Sequence, residues 1–156
     1  MSGSRGKARV GRAVAAAVVL AAAMVATPTL ANAPPGQYAL ATSTVTDTKT
    51  GLVWQRPEDG GLYTWLDAKS HCNALNAISF GGFTGWRLPT MKEVQTIVED
   101  GPNPTIDPAF TGTKSEFYWT TTPSVQTPTK AYVMAFDYGY TDTLPMVEAH
   151  RVRCVR

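Results

Sequence analysis

Two cysteines, two histidines and a few carboxylates are the side chains of this chain that could do chemistry. Cys72 and Cys154 are the only cysteines in 156 residues. They could form one disulfide or stand as two buried free thiols, and the compartment decides between these. His71 and His150 stand in no metal-ligand spacing with a second histidine or a cysteine, so no metal centre is expected. His71, beside Cys72, is expected at the domain edge. Asp137 and Asp142 could offer hard oxygens to a cation near a hairpin turn, but turn and solvated-edge roles are the simpler expectation. Arg87 and Glu93 invite a catalytic reading. Thr90-Met91-Lys92-Glu93, however, is a capping box, which makes Glu93 the partner of Thr90. Arg87, two residues before Pro89, is placed to pin carbonyls or a carboxylate. Neither a Gly-x-Ser-x-Gly elbow nor a phosphate-cradling glycine loop occurs. No catalytic residue and no cofactor are expected.

The compartment is read from the first 33 residues. Arg5, Lys7, Arg9 and Arg12 form a basic start without acids, residues 13–26 are an apolar, alanine-rich run, and Ala31-Asn32-Ala33 fits a small-x-small cleavage pattern. The run is shorter than the roughly 20 apolar residues of a membrane-spanning helix. A signal peptide removed near Ala33 is expected, with an uncleaved anchor as the alternative. No cysteine closely follows the run, so no lipid anchor is expected. Export, to the periplasm or outside the cell, favours a Cys72–Cys154 disulfide. It would close a loop of 154 minus 72, or 82, residues. A loop of that length is worth about 4–5 kcal/mol against the unfolded chain.

Export also changes the charge argument. Taking the leader's four basic residues from 14 leaves 10, against 12 acidic residues, a net charge near −2. Nucleic acid and a polybasic membrane patch are therefore not expected partners.

The elements that must position these residues fit one α+β domain in the remaining 123 residues, 34–156. Residues 34–43, opening on Pro34-Pro35-Gly36, read as a flexible lead. Residues 45–46 and 52–55 read as strands around a tight turn at 47–51. Thr64 caps a helix whose buried face is Trp65, Ala68, Cys72 and Leu75. Thr90 caps a second helix, with Met91, Val94, Ile97 and Val98 on its face. Residues 101–113 read as an ordered loop and 117–122 as a strand. Residues 131–140 alternate, with Tyr132, Met134, Phe136, Tyr138 and Tyr140 on one face. A turn is expected within 139–143 and a closing strand at 150–156. Trp54, Trp65, Trp86 and Trp119 are expected in the core. Tyr138 and Tyr140 have the best claim to exposure.

Four segments together resemble one family. Residues 44–56 (TVTDTKTGLVWQR), Gly82–Glu93 with Gly85-Trp86-Arg87-Leu88-Pro89-Thr90, Tyr118-Trp119-Thr120-Thr121-Thr122 and Val152-Arg153-Cys154-Val155-Arg156 resemble the motifs of the Lcl C-terminal domain family. The resemblance covers residues 44–156. It implies a C-type-lectin-like fold, and Thr64-Trp65 to Cys72 is similar to the first helix of that fold. Arg87-Leu88-Pro89-Thr90 is also similar to the formylglycine-generating, sulfatase-modifying proteins. Their oxidase chemistry needs a cysteine pair near the C-terminus, where this chain has only Cys154. The calcium triplets of sugar-binding C-type lectins are missing. The family implies an adhesin-like, carbohydrate-binding or protein-binding module at the bacterial envelope or outside it, without the collagen-like Gly-x-y repeats of some relatives. Tyr138, Tyr140 and Asp142 are the expected ligand-binding residues. A structural or accessory envelope protein is the alternative, and a cryptic enzyme stands third.

Overall fold

The computed structural model describes Gly3 and residues 33–156. The signal peptide expected at residues 1–33 therefore lies almost wholly outside the described residues. The fold is α+β, with two antiparallel three-stranded sheets, two short helices and one disulfide. The first sheet runs β1 (Tyr38–Leu40), β2 (Thr44–Asp47), β3 (Val53–Gln55). The second runs β4 (Phe117–Pro123), β5 (Lys130–Ala135), β6 (Tyr140–Pro145). Between them come α1 (Trp65–Ala74) and α2 (Met91–Gln95).

Local chemistry explains most of these elements. Asp47 builds the β2–β3 turn: its carboxylate accepts from Lys49 N–H at 2.9 Å and from the Thr50 hydroxyl at 2.8 Å, and Gly51 supplies φ +74°. Thr64 caps α1 by accepting from Asp67 N–H at 3.3 Å. Ala68 and Cys72 form the helix's fully buried face, and Leu75 extends it at the C-cap. Thr90 and Glu93 form the reciprocal capping box of α2. That helix ends at Gln95. Ile97 is buried but lies beyond it, and Val98 bridges to Ile106 instead of extending a helical face.

β4 and β5 divide the interior into two half-cores. Tyr118, Met134 and Phe136 face one side, with Trp54, Val94, Ile97 and Phe110. Trp119, Ala131 and Val133 face the other, with Trp86, Leu88 and the cystine. The alternation within 131–136 is real, but both faces are buried because α2 packs on β5 and α1 on β4.

Four expectations need correction. The lead at 34–43 is not all flexible coil: β1 lies in it and pairs with β2 through Tyr38↔Asp47 and Leu40↔Val45. The β5–β6 turn is at 136–139 and closes with Gly139 N–H on Ala135 C=O at 2.9 Å, so Thr141, Asp142 and Thr143 lie in β6. Trp65 is only half-buried, its indole N–H donating to Thr120 C=O at 2.7 Å while the Lys69 ammonium sits 4.3 Å from the ring centre. The last residues form no regular strand. Instead they stitch separate elements together. His150 pairs with Tyr63, Arg151 with β4, and Val155 with both Trp54 and Arg87. A chain that passes from Tyr63 to β4 and then to β3 and Arg87 within seven residues cannot keep one ladder.

Candidate functional site

Three regions gather polar or aromatic groups, and only one leaves them free. The first is the Gly-Trp-Arg-Leu-Pro-Thr string. Asn76 grips the backbone of Trp86 from both sides, accepting from its N–H at 2.7 Å and donating to its C=O at 3.0 Å. The Trp86 indole N–H donates to Phe80 C=O at 3.0 Å, and Leu88 is buried. Pro89 C=O accepts from Thr121 N–H at 2.6 Å, which fixes the string against β4. Arg87 then meets Glu93 as a fork, Nη1 to Oε2 at 2.8 Å and Nη2 to Oε1 at 2.6 Å. Thr90 N–H adds a bond to Oε2 at 2.7 Å. These bonds, led by the Arg87 contact, hold Glu93 down at about 2. A carboxylate with both oxygens occupied and so low a pKa is not poised to move protons. Beside it lies an open groove of about 470 Å³, with Lys69, Ser70, Asn73, Arg87 and Thr121 on its walls.

The second region is a buried ionic clamp under the C-terminal thread. The Glu58 side chain is almost wholly buried; it accepts from the Tyr118 hydroxyl and from Arg151 Nη1 at 2.5 Å. Arg151 also reaches Glu116, Nε to Oε2, at 2.8 Å. Its own pKa is raised by the Glu116 bond first and then by Glu58, and that of Glu116 is lowered in return. Arg153 is 2 % exposed, and donates to Gln55 C=O and Arg56 C=O at 2.6 Å each and to the Thr113 hydroxyl at 2.6 Å. Burial pulls its pKa down to about 10. Sequence reasoning missed this clamp. Its one signal was the alternation of arginines in Arg151-Val152-Arg153-Cys154, which sets Val152 and Cys154 in the same half-core.

The third region is the β5–β6 tip. Tyr138 is 82 % exposed and Tyr140 43 %. Asp137 Oδ1 accepts from Tyr138 N–H at 2.9 Å, closing the turn locally. Gly139 takes φ +71°, and a Cβ there would stand 3.0 Å from Val98 Cγ1. Thr105 fastens the turn from behind, its N–H donating to Phe136 C=O at 2.7 Å. Tyr140 stacks edge-on against Phe117, 6.3 Å between ring centres. The backbone is thus braced while the Tyr138 ring points away from it. Asp142 faces solvent on the free edge of the sheet and accepts from Thr143 N–H at 2.7 Å. That bond uses up a donor an added strand would need. Asp137 and Asp142 are each engaged with local backbone, and among the described residues no three His, Cys, Asp or Glu cluster closely enough to hold a metal ion.

His71 rests 3.1 Å from Asp59 and stacks on Tyr63, at the half-exposed edge of α1. The hydroxyl of Tyr63 donates to the same Asp59 at 2.6 Å, and its pKa is pushed up to about 12, by burial first and then by that bond. His150 packs on Trp119 and Phe117 and pairs with Glu148 at 3.2 Å. Cys72 and Cys154 are joined, with Cα atoms 5.4 Å apart, and both are fully buried. Buried cystine shielded from thiolates takes no part in exchange.

The family model for the Lcl C-terminal domain matches residues 43–156. The chain belongs to that family. No curated protein matches it. The match covers both half-cores, the clamp and the tip, and leaves residues 33–42 with β1 ahead of it. In this Lcl C-terminal domain the exposed tyrosines lie between the segments that carry the resemblance.

Proposed function

We propose that this domain is an exported binding module of the cell envelope or its exterior, and that it takes glycan through the β5–β6 tip. Tyr138, 82 % exposed on a braced turn, carries the reading. A ring held out by a fixed backbone offers a stacking face to a sugar and loses little freedom on binding. Tyr140 beside it and the Asp142 carboxylate supply further contact and hydrogen-bond acceptance. Binding rather than turnover fits the two charged regions, whose groups are spent on holding the fold. The net charge near −2 after export fits a partner other than nucleic acid. No metal or cofactor enters this reading, so binding should survive a calcium chelator.

The experiment is a glycan array probed with the oxidised domain, residues 34–156, with and without chelator. Retention that disappears in Tyr138→Ala and Tyr140→Ala at unchanged melting temperature supports the reading. A calcium requirement would direct attention to Asp137 and Asp142.

One observation favours a second reading, an accessory protein that docks on an envelope partner. Trp65, Leu66, Met146 and Val147 line an apolar recess of about 420 Å³, and Leu66 and Val147 are largely exposed. Stable co-purification with an envelope protein, without retention on any glycan, would support that reading instead.

A further inference from the structure

Glu99 is 6 % exposed and sits beyond the end of α2, facing the first residues of the described chain. It lines a recess of about 370 Å³ together with Ala33, Pro34, Tyr38, Asp47 and Lys49. Among the described residues its carboxylate accepts one hydrogen bond, from the backbone N–H of Ala33 at 2.9 Å. Burial raises its pKa, the Ala33 bond lowers it and nearby Asp107 raises it further. Asp107 lines a second, smaller recess, and Ala33 and Pro34 line both. The Tyr38 hydroxyl feels the same surroundings, its pKa raised by burial and then by Asp47, Glu99 and Asp107. Asp47 is held by Lys49 N–H and the Thr50 hydroxyl, and Asp107 by Ala109 N–H. Among the described residues Glu99 has only the amide of residue 33, and a neutral amide is a weak partner for a buried carboxylate with another beside it.

The sequence places an expected cleavage junction at this point, Ala31-Asn32-Ala33. We propose that the acidic cradle of Glu99 and Asp107 receives the chain's own amino terminus once the leader is removed. The new α-ammonium, at Pro34, one residue on from the amide that Glu99 now holds, forms the ion pair that Glu99 lacks among the described residues. Pro34 C=O accepts from Gln37 N–H at 3.0 Å, and β1 begins at the next residue, Tyr38. Anchoring the terminus thereby fastens β1 to the edge of the first sheet, so leader removal completes the fold. This inference rests on the export reading above.

The test uses protein recovered after export, its first residue determined by intact mass. Wild type and Glu99→Gln are compared as processed chains and again with a neutral Gly-Ser-Gly extension before the first residue. The processed pair should differ by several degrees in melting temperature and the extended pair should nearly coincide. By NMR titration the α-amine should have a pKa about one unit higher in wild type than in Glu99→Gln. Should Glu99→Gln fail to fold, the same titration against Asp107→Asn decides, with a smaller shift in the same direction expected. Equal losses with and without the extension, or an α-amine indifferent to both carboxylates, would overturn the inference and leave the export reading intact. A chain that keeps its leader, or is cut far from residue 33, overturns both.

Discussion

The Trp86–Glu93 string and the β5–β6 tip are both conspicuous in the sequence, yet they answer opposite questions. In the string the polar groups of Trp86, Arg87, Thr90 and Glu93 are spent. Asn76 holds Trp86, Glu93 holds Arg87 and Thr90, and Thr121 holds Pro89. At the tip the backbone is held and the Tyr138 ring is left exposed. Gly139 and Thr105 fix the turn, while Tyr138 is left in water. A motif rich in charge and aromatics therefore marks a joint of the fold, and a hairpin carries the proposed ligand contact. Hydrogen-bond saturation, more than residue type, separates the two.

The contrast is sharpest where the largest effects are expected. Replacing Cys72 and Cys154 together by alanine should cost about 4–5 kcal/mol, from loss of the loop constraint. Urea unfolding of the reduced and alkylated domain is the check, and an unchanged midpoint would break the account of the joint. Trp86→Ala should cost about 3–5 kcal/mol and Leu88→Ala about 2–5 kcal/mol, because both leave cavities beside the cystine. Chemical unfolding measures both. Midpoints equal to wild type would place the string on the surface.

Acid should distinguish the regions more gently. Glu93 is held at about 2 in the fold, below its ordinary 4.5. A group depressed in this way stabilises the fold above the unfolded value, and the contribution fades as pH falls from about 4.5 toward 2. Its exposed partner Arg87 keeps the effect small. Glu93→Gln should therefore lower the melting temperature at pH 7 and flatten its decline between those pH values. Thermal scans across that range check this, and parallel curves for wild type and variant would contradict it.

Much of this was legible because it is local. The capping box of α2, the cap of α1, the Asp47–Gly51 turn and the face Ala68–Cys72 each depend on residues within a few positions. The Cys72–Cys154 bond was legible for another reason, since two cysteines in a chain expected to be exported leave one pairing. The clamp of Glu58, Arg151 and Arg153 was not legible. Its partners are 35 to 98 residues apart in sequence and leave no period. The turn at 136–139 was misplaced because aromatics continue to alternate through it. Phe136 is buried by packing against Tyr118, and Tyr138 is exposed by the turn, so the period of two outlasts the strand. The exposure of Tyr138 and Tyr140 was foreseen from their place near a turn, but the bracing by Val98 and Thr105 is a tertiary matter.

The smallest expected effect on stability belongs to the tip, and there the central claim is most directly tested. Wild type and Tyr138→Ala, both oxidised, are titrated on the same glycan array, with melting curves taken on the same samples. The account predicts coincident melting temperatures and a loss of affinity of about fivefold or more, on the order of 1 kcal/mol. Equal affinity in the two proteins, or a loss of binding that tracks a fall in melting temperature, would contradict it.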